Sequence, residues 1–289
     1  MEMKVTENHN MGGHLSTSEG LDKTPENAKK FGFKSFQIFS KNQMQWKAKP
    51  LDESVVKSFR DNRSLNGIDS VMIHSSYLLN TASSDEELRG KVREAFKIEI
   101  ERADLLGVDL LTFHPGSFKE ATLEVGIRNV ASMLNDVLHS EQNVRVLIEN
   151  SAGQGNSVGK SFQDISRILD MVDLKNKVGV CIDTCHVWAA GYNISTKDGY
   201  EMMKQEIRDS LGIEKIMGFH LNDSKKGIGE KTDRHEQIGK GTIGVDGFRN
   251  LMMDATFMKV PMIMETPMGE AGYMQDLENL NVIFEKGIA

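Results

Sequence analysis

Val178-Gly179-Val180-Cys181-Ile182-Asp183-Thr184-Cys185-His186 is a short apolar run that ends on a carboxylate and gives way to a polar turn with a histidine three residues on. Runs of this length, rich in Val and Ile and followed by amphipathic chain, read as strands of βα units around a parallel sheet. The same pattern recurs at residues 11–15, 35–39, 71–74, 110–114, 144–149, 217–221 and 262–265, which makes eight strand candidates with 178–183. Between them the helix signals are good. Thr24 before Pro25 offers an N-cap and a first-turn proline, and Ser84 with Glu87 makes a capping-box pattern. Leu88, Val92, Phe96, Ile100 and Ala103 follow at helical spacing up to Gly107. Leu123, Val130, Leu134 and Val137 mark a further helix, as do Phe162, Ile165, Ile168 and Leu169, and Val245, Phe248, Leu251 and Met252.

Eight such pairs without a break in composition predict an α/β fold, one closed (β/α)8 TIM barrel occupying residues 1–289 as a single domain. Functional residues are then expected at the C-terminal face of the strands. An open doubly wound sheet is the competing architecture, but no strand candidate is followed by the glycine fingerprint that cradles a dinucleotide. Gly12 and Gly13 lie inside the first strand candidate, and no clear helix start follows Gly153 and Gly155.

The 289 residues are 39% hydrophobic and 27% charged with 5 prolines, the profile of a globular chain with a large core. No apolar run reaches the length of about 18 residues that a membrane span needs, and residues 1–10 are polar, so a cytoplasmic protein is expected. Cys181 and Cys185 lie too close along one strand and its turn for a disulfide and are expected to be buried thiols. The formal charge of −7 argues against coating nucleic acid by bulk electrostatics, though three divalent cations (+6) would bring it to −1.

The last residues of the strand candidates supply His74, His114, Glu149, Asp183, His220 and Glu265. His186 follows Asp183 by three residues, and Asp233 and His235 alternate, which puts both on one side of extended chain. In a barrel all of these face one bowl. Imidazoles and carboxylates are ligands for borderline divalent cations such as zinc. Five histidines and four carboxylates exceed one four-coordinate ion and suit two or three that share a bridging carboxylate. The expected chemistry is attack of a metal-generated hydroxide on phosphorus or carbonyl carbon. His14 ends the first strand and is expected to line the bowl without binding metal, whereas His9 and His139 read as surface or helix residues.

The segments that end the strands resemble the endonuclease IV type of apurinic/apyrimidinic endonucleases along nearly the whole chain. They are Phe39-Ser40-Lys41-Asn42-Gln43, His74-Ser75-Ser76-Tyr77-Leu78-Leu79-Asn80, Phe113-His114-Pro115-Gly116-Ser117 and Ile148-Glu149-Asn150-Ser151-Ala152-Gly153-Gln154-Gly155. Cys181 to His186, Phe219-His220-Leu221-Asn222-Asp223-Ser224, Asp233-Arg234-His235 and Glu265-Thr266-Pro267 complete the set. The resemblance implies three zinc ions per chain, with manganese at one position as an alternative, and a monomer. Its implied activity is cleavage of duplex DNA on the 5′ side of abasic sites, leaving a 3′-hydroxyl, with trimming of blocked 3′ ends. Carried over by motif, His74, His114 and Glu149 would hold the first zinc. Glu149 would bridge to a second, completed by Asp183, His220 and Glu265, and His186, Asp233 and His235 would hold the third. Glu149 is the expected catalytic residue.

An abasic nucleotide has lost its stacking and flips out of the duplex more cheaply than a normal one. By the same resemblance, Gln45, Tyr77 and Leu78 match loop side chains that enter the minor groove. Met44 stands where better known members place arginine in Lys-Asn-Gln-Arg-Gln-Trp; methionine can wedge between bases but gives up a charge. Lys225, Lys226, Lys231 and Arg234 crowd one loop, and Lys41, Lys47 and Lys49 another, where they could meet phosphates. Two competing functions are a metal-dependent sugar isomerase or epimerase, which needs only one or two metals, and a protein that binds abasic DNA without cutting. Most of the 17 methionines are expected to fill core gaps.

Overall fold

The computed structural model describes residues 4–288. Its eight parallel barrel strands are β1 (Asn10–Gly13), β2 (Ser35–Ile38), β3 (Ser70–His74), β4 (Leu110–Phe113), β5 (Arg145–Glu149), β6 (Val178–Asp183), β7 (Ile216–Leu221) and β8 (Pro261–Met264). Each begins and ends within two residues of its predicted run. Neighbours pair in chain order from β2 to β8, and β8 pairs in turn with β1. The remaining seam, between β1 and β2, is closed by the bridge of His14 with Gln37 and by bonds from Leu15 N to Gln37 O (2.8 Å) and Lys34 N to Met11 O (3.1 Å). Gly12 permits that approach, because a Cβ there would sit 2.4 Å from Ser35 O.

Helices cover the strands, and their ends follow local chemistry. Thr122 and Ser161 cap the helices Leu123–Val137 and Phe162–Asp170, and Gly107 ends Glu86–Leu106 in the left-handed region (φ 67°). Two cap expectations are corrected. Thr24 is the first residue of the helix Thr24–Lys30 and caps nothing, because the 3-10 turn Leu21–Lys23 feeds directly into it. Asp85, one residue beyond Ser84, caps the long helix by accepting from Leu88 N (3.0 Å).

Inside the barrel, Met72, Leu110, Leu147, Cys181 and Ile263 form a fully or nearly fully buried plug with Met217 packed against it. Gly179 and Gly218 leave room for it: a Cβ would meet Met217 Sδ at 2.6 Å or Met72 Cε at 3.0 Å. Methionine fills this irregular space, but of the 15 described methionines only seven are buried and six are exposed, fewer in the core than expected; both cysteines are free, buried thiols. His9 is the opposite of a surface residue: its ring is buried edge-on to Phe284 with Nε2 2.9 Å from Met252 O, while His139 is exposed. Among the described residues no helix is long and apolar enough to cross a membrane.

Candidate metal centre

Above the plug, each strand end delivers a polar group to one pit. His74 and Glu149 end β3 and β5, Asp183 ends β6 opposite His220 in β7, and His114 and Glu265 lie one residue beyond β4 and β8. Asp183 also caps the helix Thr184–Ala190 by accepting from His186 N (3.0 Å), which turns the His186 ring inward. After β7 the chain folds back, with residues Asp223–Ser224 pairing antiparallel with His235–Glu236. The buried Asp223 carboxylate organises this return by accepting from the backbone of Gly239 (3.0 Å), Gly241 (2.9 Å) and Ile243 (3.0 Å). Asp233 and His235 therefore reach the same pit.

The nine predicted ligands are brought together. Glu149 is central: its carboxylate lies 3.6 Å from His74 Nε2, 3.4 Å from His114 Nε2, 3.3 Å from His186 Nδ1 and 3.1 Å from His220 Nδ1. Glu265 Oε2 is 3.2 Å from His220 Nδ1, and Asp233 is 3.1 Å from both His186 Nε2 and His235 Nε2. Ligand atoms of four overlapping groups lie within 4.8 Å of one another: His74, His114, Glu149; Glu149, Asp183, His220; Asp183, His186, His235; and Cys185, Asp233, His235. Glu149 and Asp183 are each shared by two groups.

Supporting residues that the sequence reading passed over fix the ring orientations. Carbonyls of Ser75, Asn150 and Glu265 accept from Nδ1 of His74 (2.8 Å), His186 (2.9 Å) and His235 (3.2 Å), which leaves each Nε2 as the nitrogen that faces inward. Gln37 donates to Glu265 Oε1 (2.5 Å), so its own oxygen faces His220 Nε2 (2.9 Å) and leaves His220 Nδ1 free. Asn222 donates to Asp183 Oδ2 (2.7 Å) and accepts from Glu265 N (3.1 Å). His14 lines the pit 3.2 Å from Glu265 Oε1, as expected.

The electrostatics fit cations. Burial pushes the Glu149 carboxyl up, but His114 and His220 outweigh it and hold it well below the carboxylate range. Burial likewise fails to raise Glu265 and Asp233, which their histidine neighbours hold low. Burial would lower His186 and His235, yet Asp183 and Asp233 raise them to about 10 and about 9. His220 also rises, whereas burial wins at His114 and His14 and lowers both. Glu149 Oε2, His220 Nδ1 and His235 Nε2 are buried without a hydrogen-bond partner. Carboxylates and imidazoles crowded into one pit are a donor set that suits divalent cations, which would displace the protons of His186 and His235.

Around the mouth, Met44 (63% exposed) and Tyr77 (61%) project from the loops after β2 and β3, with Gln45 exposed and Leu78 half-buried beside them. The Tyr77 ring lies 5.4 Å from His74 and 6.5 Å from His114, and burial near Glu265 and Glu149 pushes its phenol up to about 12. Lys225 and Arg234 are exposed on the β7 return. Lys41 departs from expectation: its side chain is only 4% exposed and is ion-paired with Glu99 at 3.3 Å, so it is turned inward and not toward solvent.

Residues 25–283 match the profile of the xylose isomerase-like TIM barrel family. The chain is 44% identical over 274 residues to a probable endonuclease 4 of Thermoplasma volcanium, covering 95% of each, and 42% identical to one of Campylobacter concisus, covering 89% and 92%. Among solved structures it is similar to endonuclease IV from Thermus thermophilus, with a TM-score of 0.84, 29% identity and coverage of 96% and 99%.

Proposed function

The chain belongs to the xylose isomerase-like TIM-barrel family and to its endonuclease IV group of nucleases, and from that premise we propose that it hydrolyses the phosphodiester bond 5′ to abasic sites in duplex DNA. The product end is a 3′-hydroxyl, and trimming of blocked 3′ ends is a second activity of the same site. The observation that carries this reading is the pit in which four carboxylates and five histidines converge and whose inward atoms Glu149 Oε2, His220 Nδ1 and His235 Nε2 lack a hydrogen-bond partner. His74, His114 and Glu149 would hold one zinc, Glu149, Asp183, His220 and Glu265 a second, and His186, Asp233 and His235 a third, one position accepting manganese. Bound there, the ions supply a hydroxide nucleophile near neutral pH and charge neutralisation at the leaving oxygen.

The protein's own residues do the remainder. Glu149 bridges two of the ligand groups, so its carboxylate sets their separation. The carbonyls of Ser75, Asn150 and Glu265, together with Gln37, hold the imidazoles in the tautomer that faces inward. Met44, Gln45, Tyr77 and Leu78 enter the minor groove and support the bend that lets the abasic nucleotide flip, while Lys225 and Arg234 meet phosphates. One barrel domain acts as a monomer in the cytoplasm.

The test is incision of a labelled duplex that carries one tetrahydrofuran abasic analogue, which cannot undergo β-elimination, by metal-free and zinc-restored protein. Zinc-dependent cutting 5′ to the analogue is expected. A folded, zinc-loaded protein that leaves the duplex whole overturns the reading.

A further inference from the structure

The loops that carry Met44 and Tyr77 form neither helix nor strand, yet both are tied to one helix, Glu86–Leu106. Glu99, on that helix, is 1% exposed. Its Oε2 accepts from Ser40 Oγ (2.9 Å), and its Oε1 accepts from Ser76 N (3.2 Å) and faces Lys41 Nζ (3.3 Å). Arg102, one turn further on, donates from Nε to Ser40 O (3.1 Å) and from Nη1 to Lys49 O (2.8 Å). Lys41 Nζ donates in turn to Gln45 O (2.6 Å), and Ser76 Oγ bridges the loops by donating to Gln43 O (2.6 Å) while it accepts from Leu78 N (3.2 Å). A single buried charge cluster thus grips the first loop along its length and the second at its turn.

We propose that Glu99 and Arg102 are positioning residues that join the two loops into one rigid unit, with Lys41 an internal tie and not a phosphate contact. This rests on the DNA-recognition reading above. Met44 and Tyr77 then meet the duplex at a fixed separation. Loops that had to be ordered as the duplex binds would lose affinity, because the ordering cost falls on association and not on the chemical step. A buried carboxylate with three donors is a strong constraint, since losing one member leaves the others uncompensated.

The experiment compares wild type, Glu99→Gln and Lys41→Met as zinc-loaded full-length protein on the tetrahydrofuran duplex, with hydrogen exchange measured on the DNA-free proteins. For Glu99→Gln the Kd is expected to rise roughly tenfold while kcat at saturation and metal content hold. The Ser76 and Leu78 amides are expected to exchange faster. For Lys41→Met the slope of log Kd against log salt is expected to match wild type. A slope reduced by about one would make Lys41 a phosphate contact and overturn the proposal. Wild-type Kd and unchanged exchange in Glu99→Gln would overturn it equally. Should Glu99→Gln not fold, Ser40→Ala removes one donor to Glu99 and is read the same way. If wild type neither binds nor cuts the duplex, the functional reading fails, and the exchange data on DNA-free protein still decide whether Glu99 couples the loops.

Discussion

The barrel interior and the pit above it are built from the same strands and obey opposite rules. Below, Met72, Leu147, Cys181 and Ile263 are fully buried hydrophobic groups that need only shape. Two residues further along in each case, the chain presents His74, Glu149, Asp183 and Glu265, which crowd carboxylates and imidazole into a small volume. The difference teaches that stability and chemistry are layered along each strand: the plug fills the barrel, and the pit arranges charge on top of it.

The sharpest way to break this comparison is at its two centres. Glu149→Ala is expected to lower incision by about a thousandfold or more while the circular dichroism of the barrel and some DNA binding persist. Full activity in that variant would refute the mechanism. Leu147→Ala, in the plug, is expected to cost about 2–5 kcal/mol in urea unfolding, with kcat of the folded protein close to wild type. A plug variant that lost activity before stability would show that the layers are not separate.

Protonation sharpens the same contrast. In the metal-free protein His186 and His235 titrate at about 10 and about 9, above their unfolded value, so each is protonated at pH 7. Their pairing with Asp183 and Asp233 stabilises the metal-free fold fully below the unfolded histidine pKa, and this contribution is lost as pH rises through about 9 and about 10. Zinc requires neutral imidazole, so its uptake is expected to release protons at pH 7, and its apparent affinity to rise about tenfold per pH unit for each proton released. Calorimetry in buffers of different ionisation enthalpy measures the proton count. Uptake without proton release would contradict the charged state of the pit. The smallest expected effect lies at the rim. Met44→Arg is expected to tighten abasic duplex binding modestly and to steepen the salt slope by about one, because a single added charge meets one phosphate. Unchanged affinity and slope would mean that residue 44 does not touch DNA.

Most strand runs are legible because six of the eight end at or beside a candidate ligand, and a period-free apolar run bounded in that way leaves few registers. Six of the nine candidate ligands follow from position on the strand, and His186, Asp233 and His235 from their spacing in the segments after β6 and β7. The support is not legible. Gln37 reads as one more polar residue until β2 is placed beside Glu265 and His220. Lys41 looks like a solvated loop charge because its partner, Glu99, lies on a helix that follows the next strand. His9 defeats sequence reading for the same reason: the helix end and carbonyl that bury it come from the far end of the chain, at Phe284 and Met252. Ser84 loses the cap to Asp85 by one residue, a choice between adjacent acceptors that only the local backbone makes.

The junction of β8 with β1 carries a consequence for biosynthesis. His14, one residue past the first strand, and Glu265, just past the last, meet across 251 residues of chain, and Gln37 reaches the same carboxylate from the second strand. A nascent chain that has exposed six of its strands and the helix Thr184–Ala190 has five of the nine candidate metal ligands and none of this closure. The pit is completed only when the carboxyl-terminal strand leaves the ribosome and docks against the first. A fragment that ends before Glu265 lacks that carboxylate and the pairing of β8 with β1, so incision is expected only from the finished barrel.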